Sequence, residues 1–188
     1  MKTLASRPAD LVAVLGLAVG AVLGLAGSLV SHDALRQVLW GIDGVGLVVA
    51  AALLAVRFLR AGEDIVATGF VVFAIGEGLL VSGTAAGLHG SIPSFGGGVA
   101  LWSAGLLLIS VPAVLAAWMR VAGVLAAALL GVVAIRIFLG EALSPIQKPL
   151  PFFAYPLLVL TLIGWMVTLL RNPSPHEARQ PNIRPAPR

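Results

Sequence analysis

Glu77 is the residue whose type and surroundings most clearly indicate chemistry in this sequence. It is the one carboxyl group in the apolar run 67–84, where Gly76 and Gly78 flank it. A carboxyl group at the centre of a membrane-spanning helix costs about 2.5–3.5 kcal/mol and commonly marks an ion or proton path. We interpret Glu77 as a protonatable or cation-binding group. The alternative is a structural role, in which the protonated carboxyl hydrogen-bonds a neighbouring helix.

Two hydroxyl residues are candidate partners of Glu77 in this ion or proton site. Thr84 lies seven residues further along the chain, which places it on the same helical face. Ser110 belongs to a later apolar segment that contains Pro112. Because proline has no amide hydrogen, Pro112 is expected to kink that helix and free the Leu108 carbonyl near the membrane midplane. A protonated Glu77 would then donate to this carbonyl; simple packing is the alternative explanation of the proline.

Asp43 and Arg136 are the other charged residues placed well inside apolar segments. Each is costly alone in a membrane, so they are predicted to form an ion pair in the outer third of the bundle. An outer gate or vestibule above Glu77 is the functional alternative for this outer polar pair. Asp43 and Glu77 are expected to differ in depth by roughly 9 Å at 1.5 Å per residue. Since no two acids then share one depth, we expect that the protein is not an enzyme.

Metal and cofactor chemistry has little support in the sequence. The chain contains no cysteine, which excludes thiolate ligands and cysteine nucleophiles. His32 and His89 both fall in loops at the predicted outer face, and two ligands from loops make a poor metal site. We therefore predict no metal and no cofactor.

The composition places these residues in a membrane protein. Hydrophobic residues make up 59% of the chain, charged residues 11%, and the mean hydropathy is +1.03, whereas soluble domains contain about 25% charged residues. Six apolar segments have the length of roughly 20 residues that a helix needs to cross a bilayer. They lie near residues 10–30, 37–59, 65–88, 98–119, 121–139 and 150–170. We predict an all-α integral membrane protein, a bundle of six transmembrane helices in one domain, residues 1–171.

The distribution of basic residues predicts the orientation of this bundle. With the N-terminus inside, the inner face receives Lys2, Arg7, Arg57, Arg60, Arg120, Arg171, Arg179, Arg184 and Arg188, and the outer face receives Arg36, Arg136 and Lys148. The positive-inside rule then places both termini in the cytoplasm, with the bundle in the cell (inner) membrane. Trp40, Trp102 and Tyr155 are interpreted as anchors near the outer interface. Residues 172–188, rich in proline and arginine, are predicted to form a disordered basic cytoplasmic tail.

Three glycines in the first segment predict a close helix contact. Gly16, Gly20 and Gly24 share one helical face, and such small-residue stripes let membrane helices approach closely. The stripe also argues against the alternative that the first segment is a cleaved secretory signal, because a discarded segment has no use for a packing face. The partner of this face is either a neighbouring helix or a second copy of the chain.

Two functions agree with these features. The first is a small transporter or channel-like permease that uses Glu77 as its proton or ion site. The second is a non-transporting membrane subunit or scaffold of a larger complex, favoured by the scarcity of polar residues along any path. The expected partners are the lipid bilayer and either further copies of the chain or a membrane complex. Nucleic-acid binding has no support.

Overall fold

The computed structural model describes residues 7–171, and helices form most of this part of the chain. The helices are α1 (Arg7–Leu29), α2 (Asp33–Arg60), α3 (Asp64–Thr84), α4 (Gly87–Gly90), α5 (Ile92–Ser110), α6 (Ala117–Phe138) and α7 (Tyr155–Arg171). A 3₁₀ turn, Phe152–Ala154, leads directly into α7. The predicted tail, residues 172–188, lies outside the described residues, as do residues 1–6.

Six of the described helices have the length and apolar composition of membrane spans. Their outward faces are apolar as well: Leu15 and Val22 are each 64% exposed. A soluble protein rarely exposes apolar surface continuously, whereas lipid covers it without cost. The prediction of an all-α bundle with six long apolar helices is therefore confirmed, and the protein is a multi-pass membrane protein. Its orientation in the membrane stays a prediction.

The six long helices form a closed ring. Each packs against the helices that neighbour it in sequence, and α7 closes the ring by packing against both α6 and α1. One end of the ring carries the connections 30–32, 85–91 and 139–151, and we call it the His32 end. The opposite end carries the connections 61–63 and 111–116, and we call it the Arg60 end.

Two helices end earlier than the sequence predicts, and both differences change where candidate residues lie along the bundle. The third span ends at Thr84 instead of continuing to residue 88, because the backbone at Gly87, with a φ of +72°, interrupts the right-handed helix between α3 and α4. The fourth span ends at Ser110, so that Pro112 lies in the connection after α5. The predicted kink at Pro112, with a free Leu108 carbonyl near the midplane, is wrong.

Arg120 stabilises the end of α5. Its guanidinium donates to the carbonyl oxygens of Ser110 at 3.0 Å and Val111 at 2.8 Å. The last carbonyls of a helix have no partner within the helix, and a cation beside them also suits the helix dipole. This arrangement explains how the chain turns without continuing a single long helix from 98 to 139.

Glycines allow the closest helix contacts of the ring. The face of Gly16, Gly20 and Gly24 packs on α2 of the same chain, where a Cβ added to Gly16 would lie 2.5 Å from the Gly46 carbonyl oxygen. A second seam joins α3 and α5, where a Cβ on Gly76 would lie 2.9 Å from the Gly98 carbonyl oxygen. Close backbone contact of this kind supplies the van der Waals attraction that holds helices together in lipid.

An aromatic cluster fills the middle of the ring. Phe70 stacks on Phe58 with ring centroids 5.4 Å apart and meets the edge of Trp165 at 4.8 Å. Phe73 contacts Trp165 at 5.6 Å and stacks on Trp102 at 5.4 Å. We call these five residues the aromatic floor, because a cavity lies above them on the His32 side.

Candidate functional site

Asp43 of α2 and Glu77 of α3 line the same cavity. Glu77 is only 3% exposed and Asp43 only 8% exposed. A Cβ added to Gly44, the residue after Asp43, would lie 2.9 Å from the Glu77 carboxylate oxygen Oε1. The absence of a side chain at position 44 therefore gives the Glu77 carboxyl group room against α2, next to Asp43.

This pairing of acids was not expected from the sequence. Because α3 ends at Thr84, Glu77 lies seven residues from the His32 end of its helix, about 10 Å at 1.5 Å per residue. Asp43 lies ten residues from the start of α2, or about 15 Å. The predicted arrangement, with Glu77 roughly 9 Å deeper than Asp43, is wrong, and with it the depth argument against two acids acting together.

Glycines of α1 enclose the Asp43 carboxylate from the other side. A Cβ added to Gly20 would lie 3.1 Å from Oδ1 of Asp43, and one added to Gly24 would lie 2.7 Å from Oδ2. The stripe predicted as a packing seam thus also forms a recess for an acidic side chain. Any larger residue at position 24 would compete with Asp43 for this space.

Three polar atoms of this site are buried and have no hydrogen-bond partner within residues 7–171. They are Oδ1 of Asp43, Oε2 of Glu77 and the indole nitrogen Nε1 of Trp102. Trp102 lies beside Glu77, but its N–H makes no well-aligned hydrogen bond. A buried polar group without a partner costs about 1–3 kcal/mol, and a buried charge costs more. Two adjacent carboxylates also repel each other when both are ionised. A proton or a cation between the two acids would give their unpartnered oxygens a partner and reduce the repulsion.

The basic residue at this cavity is already engaged. Arg36 is 5% exposed and pairs with Asp33, and it donates through Nε to the Gly27 carbonyl oxygen at 3.2 Å and through Nη2 to the Val30 carbonyl oxygen. It therefore fastens the turn between α1 and α2. Because Asp33 balances the charge of Arg36, ionisation of Asp43 and Glu77 would leave the cavity with two net negative charges.

The cavity has a volume of about 90 Å³. Because a single water needs only about 10–15 Å³ of such a volume, the cavity has room for several waters. It extends from Glu77 to Asp33 and Leu88 at the His32 end. Side chains of α1, α2, α3, α5 and α7 line it, and most of them are apolar or aromatic. Of the five residues of the aromatic floor, only Trp102 lines the cavity. The cavity is thus a vestibule that reaches one end of the bundle.

Of the two hydroxyl residues predicted to accompany Glu77, the structure places one at the cavity and the other away from it. Thr84 lines the cavity with Glu77, and its hydroxyl donates to the Val81 carbonyl oxygen at 2.8 Å. Ser110 does not, because it ends α5 near the Arg60 end, where it faces Gly123 of α6. Its assignment to the ion or proton site is wrong.

The predicted ion pair of Asp43 and Arg136 is also wrong. Arg136 binds Glu141 instead, with Nη2 2.6 Å from the carboxylate, and the two side chains are 40% and 45% exposed. The ring order explains this result, since α6 lies across the ring from α2. The hydrogen bond and charge of Arg136 lower the pKa of Glu141.

Three aromatic residues that the sequence predicts to be interface anchors lie at the cavity instead. Trp40, Trp102 and Tyr155 all line the cavity, although their positions near segment ends suggested interface anchors. Trp40 lies three residues before Asp43 in α2, a spacing that places both on one helical face. That spacing was a usable signal. Trp102 and Tyr155 stand on helices that carry no acid, and their sequence neighbourhoods give no such signal.

Neither His32 nor His89, the two histidines within residues 7–171, lines this cavity. His32 precedes α2 and accepts a hydrogen bond from the Leu35 amide through Nδ1 at 3.4 Å. Within residues 7–171, no group of three His, Cys, Asp or Glu side chains is placed to hold a metal ion.

The site has to be interpreted from its own geometry. No protein-family model matches the chain, and no curated protein and no solved structure is detectably similar to it.

Proposed function

We propose that the protein is a small membrane permease in which Asp43 and Glu77 together bind a proton or another cation. The single observation that carries this proposal is the pair of buried, unpartnered carboxyl groups in one cavity. Acids inside membrane spans typically mark substrate paths or proton relays. If these acids served only to join neighbouring helices, their carboxyl oxygens would be expected to be hydrogen-bonded to those helices. Instead, one oxygen of each acid has no hydrogen-bond partner among the described residues.

The distribution of charge supports an orientation for this permease. Arg57, Arg60, Arg120 and Arg171 lie towards the Arg60 end, whereas Arg36, Arg136 and Lys148 lie towards the His32 end. With the basic tail added, the positive-inside rule places the Arg60 end in the cytoplasm. The cavity then opens outward, and the aromatic floor is the barrier that has to rearrange for a bound cation to cross.

Binding, and not catalysis, is the role we assign to the acid pair. Two carboxyl groups that share a site also occur in aspartic proteases, where they activate a water molecule. Such chemistry needs a groove that admits a polymeric substrate, and a cavity of about 90 Å³ has room only for a small molecule or a few waters.

A second candidate function has one observation in its favour. The aromatic floor is closely packed, with Trp165 only 2% exposed, and it lies in the way of a path from the cavity across the bundle. A non-transporting subunit, which binds a cation for stability or for sensing, would need no such path. A flux measurement separates the two candidates.

Proton flux into liposomes tests the proposal. Purified protein is reconstituted with a pH-sensitive dye inside, and a potassium diffusion potential drives protons inward. We expect flux from the wild-type protein and its loss in Glu77→Gln and in Asp43→Asn. Glu63→Gln is the matched control, because it makes the same change at the start of α3, outside the cavity.

Flux from the variants is compared at one fixed pH, because other groups besides the two acids could change their charge with pH. The titratable and charged groups that line the cavity are Asp33, Arg36, Asp43, Glu77 and Tyr155. Size-exclusion profiles confirm that each variant is folded. Flux equal to that of empty liposomes in the wild-type protein, for protons and for radiolabelled methylammonium alike, would refute the permease and favour the non-transporting subunit. Flux that persists in Glu77→Gln and Asp43→Asn would refute the assignment of the site.

A further inference from the structure

Aromatic side chains from three helices line the cavity that contains the acid pair. Trp40 comes from α2, Phe95 and Trp102 come from α5, and Tyr155 comes from α7, and all four line the cavity. Trp102 lies beside Glu77 and also stacks on Phe73 of the aromatic floor. Cations are attracted to the faces of such rings, and Trp is the strongest of the three ring types.

Oxygen ligands for an inorganic cation are scarce in the same cavity. Besides the two carboxyl groups, the cavity wall offers few side-chain oxygens: the hydroxyl groups of Ser28, Thr84 and Ser91 line it, and each donates its hydrogen to a carbonyl oxygen of the preceding helical turn and keeps only its lone pairs for a ligand. Hard divalent cations need about six to eight oxygen ligands. Two carboxyl groups in a largely apolar wall do not provide that number, and the described residues contain no three-residue metal cluster.

An organic ammonium ion would suit both the aromatic walls and the small number of oxygen ligands. Its N–H groups would donate to the unpartnered oxygens Oδ1 of Asp43 and Oε2 of Glu77, and its single positive charge would balance one ionised carboxylate while the other carboxyl group keeps its proton. Its hydrocarbon body would contact the aromatic walls. The volume of about 90 Å³ corresponds to several water positions, which suits a small amine and not a bare ion.

We infer that the cavity binds a protonated amine with a small apolar or aromatic body. This inference rests on the proposed function, because it takes the acid pair as the cation site and names the class of cation. Asp43 and Glu77 supply the charge, and Trp102 supplies the aromatic contact.

Calorimetric titration of the purified protein in detergent tests the inference with matched probes. Benzylammonium carries the charge and the ring. Benzyl alcohol has the same size without the charge, methylammonium has the charge without the ring, and sodium chloride supplies an inorganic cation. Charge-assisted hydrogen bonds favour benzylammonium over benzyl alcohol by about 10- to 100-fold. We expect benzylammonium to bind most tightly of the four.

Substitutions then assign the binding to this cavity. Glu77→Gln is expected to weaken benzylammonium by at least about 10-fold and to leave benzyl alcohol unchanged. Trp102→Leu is expected to weaken benzylammonium by roughly 2- to 30-fold, and Trp102→Phe by less, since a phenyl ring retains part of the attraction. Glu63→Gln is expected to bind like the wild-type protein. If the Trp102 variants do not fold, the four probes on the wild-type protein still decide.

The outcomes separate this inference from the proposed function. Equal affinity for benzylammonium and benzyl alcohol, or tighter binding of sodium, overturns the inference. Absence of benzylammonium binding together with Glu77-dependent proton flux also overturns it, while the permease stands. Glu77-dependent benzylammonium binding without flux of protons or of radiolabelled benzylammonium supports the inference and refutes the permease.

Discussion

The contact between α1 and the Asp43 carboxylate can be tested by adding a single methyl group. In Gly24→Ala, the new Cβ would lie 2.7 Å from Oδ2 of Asp43, closer than real Cβ contacts allow. Gly41→Ala is a matched control in α2, because a Cβ at that position has no neighbour within 4 Å. Both substitutions replace glycine within a long helix.

Two opposing effects set the expected size of the change. Alanine stabilises a helix interior by up to about 1 kcal/mol relative to glycine. Overpacking a close contact costs about 1–3 kcal/mol. We therefore expect Gly24→Ala to lower the free energy of unfolding by about 0–3 kcal/mol. Gly41→Ala should raise the free energy of unfolding by up to about 1 kcal/mol.

A double-mutant cycle isolates the contact. Asp43→Ala removes the carboxylate that the new methyl group meets, so Gly24→Ala in that background should lose its penalty and stabilise the helix as Gly41→Ala does. The coupling between positions 24 and 43 is then about 1–3 kcal/mol. Unfolding in mixed micelles, followed by tryptophan fluorescence as the denaturing detergent increases, gives the four free energies.

A coupling energy near zero would refute the reasoning. In that case Gly24→Ala and Gly41→Ala would behave alike in both backgrounds, and α1 would not enclose Asp43. Gly41→Ala combined with Asp43→Ala serves as the control cycle and should be additive.

Three further predictions concern other parts of the ring. Gly76→Ala places a Cβ 2.9 Å from a backbone carbonyl oxygen of α5 and should destabilise the bundle by about 1–3 kcal/mol in the same unfolding assay. Gly78→Ala, where a Cβ has no neighbour within 4 Å, should not destabilise it. Equal effects of the two substitutions would refute the close contact between α3 and α5. Arg120→Gln removes both hydrogen bonds to the end of α5 and should destabilise by about 1 kcal/mol after allowance for partial exposure, and no change would refute this cap. Because Arg136 lowers the pKa of Glu141 below its ordinary value of 4.5, their pair stabilises the fold above that pH and is lost as the pH falls through the lowered pKa. The melting temperature of Glu141→Gln should therefore fall less than that of the wild-type protein on acidification, and parallel decreases would refute the pair.

The architecture could be predicted from the sequence because membrane helices have few alternatives. Apolar runs of about 20 residues leave only helices as a way to satisfy the backbone in lipid. The importance of Glu77 follows from the same cost, since an acid in such a run needs protein or water around it. Neither inference requires knowledge of which helices face each other.

The partner of Glu77 could not be predicted because it depends on helix ends and helix faces. The end of α3 is set by the backbone conformation of Gly87, and apolar residues on both sides of it hide that end from a hydropathy count. Arg136 was a plausible partner of Asp43 by depth alone. The ring order places these two residues on opposite sides of the bundle, and hydropathy carries no information about that order.

Pro112 illustrates a related ambiguity. A proline within a long apolar stretch predicts either a kink or a helix end. The stretch from 98 to 139 contained two spans, and the turn between them was placed at Arg120. Arg120 instead reaches back from α6 to the end of α5, so the turn lies at 111–116.

Cross-linking of introduced cysteines tests the central claim, that Asp43 and Glu77 face one cavity, most directly. The sequence contains no cysteine, so a pair introduced as Asp43→Cys and Glu77→Cys provides the only thiols. A short bismaleimide should join them within one chain, detected by mass spectrometry of the digested protein, whereas the pair Asp43→Cys and Arg136→Cys should remain unlinked. Efficient linking of positions 43 and 136, with none between 43 and 77, would contradict the account.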